Sequence, residues 1–360
     1  MTNPNRHPVI GLTMGDPCGI GPEIIVKALA DPRLRHAAAY RIFGEAQTLA
    51  RAAEAARLEP AWWIESPGQS SGVRPVRGQI IVSDHPSFAE PLARELARSA
   101  AGPSRIGGES SLAFLNAAVD AALSDSSDPG HVEAIVTAPI SKSSWHLAGL
   151  RRFPGHTEFL ADRTKSKHFA MMFVAPQLRV VLATIHIPLS QVAETLTIGR
   201  VFEPILLGHE ACRDLLGIER PRLAVCGLNP HASEHGLFGD EEKRLIEPAI
   251  RQAVERGIDA AGPFPADTIF NAALAGRYDL VVAIYHDQGL IPIKLLARDE
   301  AVNVTIGLPI IRTSPDHGTA YDIAGKNTAS PGSMIAAIQL AIDFAARRRR
   351  LDQRVGQVAT

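Results

Sequence analysis

The chain has 360 residues, which exceeds the usual size of a single hydrophobic core and predicts two lobes with a cleft between them. Hydrophobic residues make up 46% and aromatic residues only 5%, which favours a helix-rich α/β enzyme over a β-sandwich or a disordered chain. A formal net charge of -1 excludes an overall electrostatic footprint for nucleic acid or an anionic membrane.

The cysteines and the N-terminal residues bear on the cellular compartment. Cys18, Cys212 and Cys226 are odd in number and widely spaced, which excludes a disulfide framework and a CxxC zinc motif, so we expect small buried thiols. The opening MTNPNRHPV has no apolar signal segment, and no stretch approaches 18 uninterrupted apolar residues. We therefore expect a soluble cytoplasmic protein without a membrane or nucleic-acid partner.

The first predicted elements are a strand, a glycine-rich turn and a helix. The apolar run at residues 9–13 is followed by GDPCGIGPE, in which Pro22 suits the first helical position, so we expect a helix at residues 22–29. A glycine-rich turn before a helix can hold an anion with its backbone N–H groups. The spacing is neither GxGxxG nor a Walker motif, which leaves a tight turn and a ligand loop as alternatives.

Strands and helices continue through the first half of the chain. We expect strands at residues 41–44, 79–83 and 134–138, helices at 46–58 and 107–123, a further helix that residues 139–142 open and that ends near Gly149, and a loop at 66–78. Residues 107–111, GGESS, can cap their helix or touch substrate. The turn at residues 153–158 leads into another helix, where His156 and Thr157 can hold a phosphate, or Thr157 can be a plain N-cap.

Three apolar runs in the second half each lead to a histidine. Strands are predicted at residues 180–185, 223–227 and 280–285, and His186, His231 and His286 follow them. Ligands of an open α/β sheet lie outside the carboxyl ends of the strands, so these imidazoles meet in one cleft if the strands are parallel neighbours. Three imidazoles with one open coordination position make a catalytic divalent-metal site. The separations of 45 and 55 residues carry no local metal signature, and three ordinary histidines are the alternative.

Carboxylates near these strand ends can orient imidazoles or accept a proton, and the candidates are Asp267 and Asp287. Asp267 lies in a rigid turn predicted at residues 262–268, where it can instead cap a helix that begins at Thr268. The remaining helices are predicted at residues 241–257 and 333–344, the second ending in a solvated arginine run at 347–350.

Cations that suit an acidic, phosphorylated substrate also lie near predicted strand ends. Arg312 can grip an oxyanion in a bidentate fork, whereas Lys142 and Lys294 act as point charges. Each of the three can alternatively be an ordinary surface cation.

Eight segments in order closely resemble the 4-hydroxythreonine-4-phosphate dehydrogenase family of vitamin B6 biosynthesis. They are GDPCGIGPE, APISK, PGHTEFLA, HIPL, GLNPHASE, GPFPADT, YHDQGLIPIK and NVTIGLPIIRTSPDHGTAYDIAG, and they span nearly the whole chain. The resemblance implies a two-lobed α/β/α fold like that of isocitrate and isopropylmalate dehydrogenases, with the active site in the interlobe cleft. It also implies a homodimer with shared sites. The expected cofactor-side lobe is residues 1–140 with 308–360, and the metal, substrate and dimerisation lobe is residues 141–307.

The resemblance also implies roles for particular residues. The metal ligands would be His186, His231 and His286, contributed across the dimer, and the substrate ligands would be His156, Thr157, Lys294, Asn303 and Arg312. The reaction would be NAD-dependent oxidation of a secondary alcohol to a 3-oxo acid that loses carbon dioxide. The candidates for catalytic proton transfer are Asp267 first, then Lys142, with Asp287 beside the metal. The metal would be zinc, cobalt or magnesium.

The segment HGTAYDIAG is similar to the adenosine loop of the β-decarboxylating dehydrogenases. The loop implies cofactor contacts from His317, Gly318, Thr319 and Asp322. A carboxylate at Asp322 would accept from ribose hydroxyls and repel a 2′-phosphate, which favours NAD over NADP. The chain has Ser330 where those dehydrogenases often have asparagine.

The sequence leaves several alternatives open. The substrate can be 4-phosphohydroxy-L-threonine or, as in a related branch, D-threonate or D-erythronate 4-phosphate. A further branch aromatises an unphosphorylated dihydrodiol, against which the phosphate-type positions argue. A non-enzymatic phosphosugar-binding regulator is the alternative outside enzymes, and a dehydrogenase with carboxylate metal ligands is disfavoured by the histidines.

Overall fold

The computed structural model describes residues 7–66, 72, 74–98 and 101–358. The chain folds into two compact units. Unit 1 is Met1–Leu160 with Ile310–Ala346, and unit 2 is Ala161–Pro309 with Arg347–Thr360. Strands and helices alternate in both, so the predicted α/β class is confirmed. The assignment of a cofactor role and a metal role to separate lobes stays a prediction.

The elements have the following bounds. The strands are β1 (Val9–Thr13), β2 (Ala39–Gly44), β3 (Trp63–Glu65), β4 (Ile80–Asp84), β5 (Ala134–Thr137), β6 (Ala170–Val174), β7 (Arg179–Leu182), β8 (Arg222–Cys226), β9 (Asp259–Phe264), β10 (Leu280–Ala283), β11 (Val302–Ile306) and β12 (Ile311–Pro315). The α-helices are α1 (Gly21–Leu29), α2 (Pro32–Arg35), α3 (Ala46–Ala55), α4 (Ala89–Leu96), α5 (Arg105–Leu123), α6 (Lys142–Leu147), α7 (His156–Arg163), α8 (Val192–Thr195), α9 (Ile198–Asp214), α10 (Glu247–Glu255), α11 (Ala266–Leu274), α12 (His286–Ala297) and α13 (Gly332–Val358). Short 3₁₀-helices lie at Pro86–Phe88 and Leu189–Gln191, a π-helical turn lies at Glu242–Ile246, and Pro230–Gly236 is a turn with non-helical dihedral angles at residues 231–235.

The described strands of unit 1 form a parallel array in the order β3-β4-β2-β1-β5-β12. Strands β1 and β5 are neighbours, so the glycine-rich turn after β1 and the start of α6 lie at the same edge. The core around them contains the buried side chains of Tyr40, Phe114 and Trp145. Burying one large apolar side chain contributes roughly 1.5–3 kcal/mol.

The described strands of unit 2 have the order β11-β6-β7-β10-β8-β9. Pairs β11–β6 and β6–β7 are antiparallel, and the remaining pairs are parallel. The three strands that precede the histidines are β7, β10 and β8, which lie side by side. The condition that these strands are parallel neighbours is therefore met, although each strand ends earlier than predicted.

Several local predictions need correction. Helix α5 begins at Arg105 and is capped by Ser104, whose Oγ accepts from Gly107 N at 3.0 Å, so residues 107–111 do not cap it. Ser111 instead accepts a hydrogen bond from the buried Trp145 Nε1 at 3.0 Å. Residues 262–264 lie in β9 rather than in a turn.

Helix boundaries differ in three further places. Helix α11 begins at Ala266 without a side-chain cap, so Asp267 is inside its first turn and is not the capping residue. Helix α7 begins at His156, which excludes Thr157 as its N-cap. Helix α13 continues through residues 347–350 instead of ending there. Residues 67–71 and 73 of the predicted loop at 66–78 lie outside the described residues.

The three cysteines are free and buried, which confirms the prediction of small buried thiols. Among the described residues, no helix combines the length and the apolarity that a membrane span requires.

Candidate active site

Arg312 is a buried cation of unit 1. It lies on β12, is 2% exposed, and donates to Thr137 Oγ1 at the end of β5 from Nε at 3.1 Å and Nη2 at 2.8 Å. Burial lowers the pKa of Arg312 to about 9, against the opposing effect of the Glu158 carboxylate. The guanidinium is therefore positively charged at neutral pH, in surroundings where an anion is attracted strongly.

His156 opens helix α7 beside this cation. Its ring stands edge-on to Trp145 at a centroid distance of 5.9 Å, and its Nε2 is buried without a hydrogen-bond partner among the described residues. Burial and the positive charge of Arg312 hold the pKa of His156 well below its ordinary value, so the imidazole is neutral at pH 7. Because an unpaired buried polar atom costs about 1–3 kcal/mol, a ligand that bonds to Nε2 would be stabilised.

Two further polar residues belong to the same region. Thr157 is 3% exposed in the first turn of α7. A Cβ built on Gly155 would lie 3.9 Å from Lys142 Cε, so the start of α6 lies beside the start of α7. We call Thr137, Lys142, His156, Thr157 and Arg312 the anion pocket. Two cations, a neutral imidazole and helix N-termini together are suited to a phosphate.

A cavity of ≈ 610 Å³ in unit 1 is lined by the glycine-rich turn after β1 and by the predicted adenosine loop. The turn contributes Cys18 and Gly19, and the loop contributes Tyr321, Asp322 and Gly325. A Cβ on Gly19 would lie 2.8 Å from Thr319 O, so this approach requires glycine. The glycine-rich turn therefore both packs tightly and lines a cavity. The volume lies within the usual range for a small-molecule site.

Asp16 joins the turn and the loop. Its side chain is fully buried, and its Oδ2 accepts from Tyr321 OH and from Ser144 Oγ, each at 2.7 Å. Its Oδ1 accepts from Cys18 N at 3.0 Å. Burial raises the pKa of Asp16 above its ordinary value, although the bonds from Tyr321 and Ser144 oppose the shift. Burial and the nearby Asp16 also raise the pKa of Tyr321.

In unit 2, two of the three predicted metal ligands lie close together. The rings of His186 and His286 have a centroid distance of 6.0 Å. His286 Nδ1 lies 2.7 Å from Asp287 Oδ1, which orients the ring and directs Nε2 to the other side. The prediction that a carboxylate orients an imidazole therefore has a structural counterpart in Asp287.

His231 lies in an unusual turn after β8. Residues 231–235 all have positive φ, between 46° and 68°, although none is glycine. Such conformations are uncommon for L-residues and cluster at functional sites. Among the described residues of this single chain, no group of three or more His, Cys, Asp or Glu side chains is close enough to hold a metal.

The other predicted residues of unit 2 have these positions. Lys294 is exposed on α12, two turns after His286. Asn303 lies on β11, and its Oδ1 is buried without a hydrogen-bond partner among the described residues. Asp267 is exposed in the first turn of α11. Their joint action on one substrate stays a prediction.

Four residues of these regions were not singled out from the sequence. They are Asp16 and Tyr321 in unit 1, and Glu242 and Gln288 in unit 2. Asp16, Glu242 and Gln288 are polar side chains that are 8% exposed or less. Asp16 and Gln288 lie inside the segments GDPCGIGPE and YHDQGLIPIK, so a polar residue within a motif was the signal that could have found them, whereas Glu242 lies outside all eight segments.

Comparison with known proteins identifies relatives along nearly the whole chain. The family described as "Pyridoxal phosphate biosynthetic protein PdxA" matches residues 36–341. A 4-hydroxythreonine-4-phosphate dehydrogenase of Desulforapulum autotrophicum is 44% identical over 94% of this chain and 95% of that protein. A D-threonate 4-phosphate dehydrogenase of Salmonella typhimurium is 43% identical over 93% of this chain and 98% of its own length. A crystal structure of 4-hydroxythreonine-4-phosphate dehydrogenase from Klebsiella pneumoniae has a TM-score of 0.80 at 41% identity, and the match covers 94% of this chain and 99% of that one.

Proposed function

Given that the chain belongs to the family of the pyridoxal phosphate biosynthetic protein PdxA, we propose that it is an NAD-dependent, divalent-metal-dependent dehydrogenase of 4-phosphohydroxy-L-threonine. The observation that carries the proposal is the anion pocket. The buried Arg312 and the Nε2 of the neutral His156, which has no hydrogen-bond partner in the described part of the chain, favour a phosphate group at this position. The dehydrogenase names of the close relatives support the reaction class.

The proposed reaction has two steps. Bound NAD⁺ would supply the acceptor for the hydride of the secondary alcohol carbon, and the hydroxyl proton would pass to a base of the chain, which would leave a 3-oxo acid. The bond to the carboxyl carbon then breaks, carbon dioxide leaves, and the electron pair forms an enolate that takes up one proton. The product is 3-amino-2-oxopropyl phosphate.

The donor chemistry in unit 2 fits a divalent metal. Because a Zn–N bond is about 2.0–2.1 Å long, two imidazoles on one ion have ring centroids roughly 5–6 Å apart. The 6.0 Å between the His186 and His286 rings is compatible with that spacing. His186, His231 and His286 would hold the ion, with ligands from both subunits of a dimer. A bound zinc, cobalt or magnesium ion would supply a Lewis acid for the alcohol oxygen.

Side chains of the protein would bind the substrate and the cofactor and would accept the proton. Arg312, His156 and Thr157 would bind the phosphate, with Lys294 and Asn303 as further substrate ligands. The proton acceptor would be Asp267 or Lys142, while Asp287 would orient His286. The cavity beside Asp322 would take the adenosine half of NAD.

We also propose that the protein is a homodimer. Helix α12 has exposed apolar side chains at Ile291, Leu295 and Leu296, which are 58%, 82% and 46% exposed. Ile291 and Leu295 are four residues apart and share one helix face, which a second copy of the chain would cover. Leu295→Glu should then shift sedimentation toward the monomer, whereas Leu123→Glu, on the exposed end of α5, should leave the dimer intact.

D-threonate or D-erythronate 4-phosphate is the second candidate substrate. The supporting observation is a pair of nearly equal sequence identities. The D-threonate 4-phosphate dehydrogenase is 43% identical to the chain, and the 4-hydroxythreonine-4-phosphate dehydrogenase is 44% identical. These substrates carry the same phosphate and secondary alcohol, and the product would be dihydroxyacetone phosphate. The anion pocket therefore suits both substrate classes.

The test compares the three substrates directly. NADH formation at 340 nm and carbon dioxide release are measured for 4-phosphohydroxy-L-threonine, D-threonate 4-phosphate and D-erythronate 4-phosphate, with chelator-treated and metal-restored protein. A higher kcat/KM for the amino acid supports the first proposal, and a higher value for a sugar acid supports the second. Absence of turnover with all three would contradict both and favour a phosphosugar-binding regulator.

A further inference from the structure

Two sets of side-chain hydrogen bonds hold the segments that carry the three histidines: one joins Thr184, Ile284, Gln288 and Gly227, and the other joins Glu242 and Asn229. We propose that Gln288 and Glu242 are positioning residues, which hold His186, His231 and His286 in the geometry that a metal requires. The inference rests on the metal site of the proposed function. It adds two residues that touch neither metal nor substrate.

Gln288 connects the end of β10 with the turn after β8. Its side chain is 8% exposed, its Oε1 accepts from Ile284 N at 2.6 Å, and its Nε2 donates to Gly227 O at 2.8 Å. A primary amide supplies a donor and an acceptor at once, so this one side chain satisfies both strand ends. His286 lies two residues before Gln288 and shares its helical turn.

The same Ile284 also binds the end of β7. Ile284 O accepts from Thr184 N at 3.1 Å and from Thr184 Oγ1 at 2.8 Å. Thr184 lies two residues before His186. Gln288 thus binds the N–H of Ile284, and Thr184 binds its carbonyl oxygen. Ile284 lies two residues before His286, whose ring centroid is 6.0 Å from that of His186.

Glu242 holds the turn that carries His231. It is 1% exposed, its Oε1 accepts from Asn229 N at 2.7 Å, and its Oε2 accepts from Asn229 Nδ2 at 2.9 Å. The second Nδ2 contact of Asn229 is to Glu241 Oε2 at 2.8 Å. Directly after this anchor come the five left-handed residues 231–235. A turn of this kind persists only where its surroundings determine it strongly, and the bonds to the buried Glu242 fix Asn229, two residues before the turn begins.

The test measures metal binding rather than turnover alone. Gln288→Met removes both amide bonds at similar volume, and Glu242→Gln places an NH₂ group where Asn229 needs an acceptor. Matched controls are Gln252→Met and Glu247→Gln on helix α10. Chelator-treated proteins are titrated with Co²⁺ and with Zn²⁺ against a competing chelator, and the visible d–d spectrum of the Co²⁺ form is recorded.

We expect both variants to bind metal roughly 10–100-fold more weakly than the parent and to show an altered Co²⁺ spectrum, with both controls unchanged. The inference would be overturned if the variants had the metal affinity and the Co²⁺ spectrum of the parent. A lower melting temperature of the metal-free variants would then indicate a structural role only. If the parent itself binds no Co²⁺ or Zn²⁺, the metal site of the proposed function fails as well. If a variant does not fold, Gln288→Glu or Glu242→Asp replaces it. We then expect a smaller loss of metal affinity in the same direction.

Discussion

Arg312 and Thr137 form a two-point contact across neighbouring parallel strands, because Nε and Nη2 of the arginine donate to the same hydroxyl oxygen. The register pairs Arg312 with Ile135, so the guanidinium reaches two residues farther toward the end of β5. The contact fixes the plane of the guanidinium beside His156. The geometry of this cation is therefore set by the sheet before any substrate binds, which lowers the cost of ordering on binding.

Replacing this cation by a point charge tests the anion pocket. Arg312→Lys keeps the charge but removes the planar fork, so kcat/KM for the phosphorylated substrate should fall roughly 10–150-fold, equivalent to about 1.5–3 kcal/mol. The assay is initial NADH formation. Arg94→Lys is the matched control, because the Arg94–Glu90 ion pair is solvent-exposed. Equal kcat/KM for Arg312→Lys and the parent would remove Arg312 from substrate binding.

Acidification should destabilise the protein through His156. Because burial and Arg312 lower its folded-state pKa well below the ordinary value, the unfolded chain binds a proton below pH 6.5 that the folded chain does not. The free energy of unfolding should therefore fall by about 1.4 kcal/mol from this group between pH 7.5 and 5.5. Urea unfolding of the parent and of His156→Asn is measured at both pH values. The difference between their pH dependences gives the contribution of His156 to the free energy of unfolding. Equal pH dependence in the two proteins would contradict a buried neutral imidazole.

The bond between Tyr321 and Asp16 should contribute to cofactor binding. Tyr321→Phe removes the hydroxyl that donates to Asp16 and lies 3.1 Å from Ser144 Oγ, and with it the bond that joins the predicted adenosine loop to the turn after β1. Since such a bond is worth about 1 kcal/mol, the KM for NAD should rise roughly fivefold with little change in kcat. Tyr278→Phe in unit 2 is the control. A loss confined to kcat would show that this contact does not act on the cofactor.

Cofactor choice should depend on Asp322. We expect NAD to be preferred over NADP, and Asp322→Asn to reduce the ratio of their kcat/KM values by about tenfold, since about 1–2 kcal/mol of charge repulsion is removed. The control is the exposed Asp299→Asn. Arg51, Arg98 and Lys326 line the same cavity. A parent that prefers NADP would reverse the prediction and identify these cations as ligands of the 2′-phosphate.

Local pattern was sufficient for much of the fold. Apolar runs bounded by polar residues predicted β7, β8 and β10, and a histidine follows each of them. The start of α1 followed from a proline at its first turn. Such features depend on neighbours within a few residues, so they can be read from a single sequence.

Other features depended on contacts between distant residues. Asp16 and Tyr321 are 305 positions apart, and Gln288 and Gly227 are 61 apart, yet each pair is joined by one hydrogen bond. The order β7-β10-β8, which differs from the chain order, brings the histidine strands together. The left-handed turn at 231–235 contains no glycine that could have predicted it.

The sequence by itself determined which chemical groups stand near the predicted elements: imidazoles after strands β7, β8 and β10 of unit 2, and in unit 1 an imidazole at a helix start and an arginine. Only the tertiary structure decided their states and partners. Burial lowers the pKa values of His156 and Arg312, and strand order with register sets which groups touch. Desolvation and pairing are properties of the packed chain, because each arises from residues that are far apart in sequence.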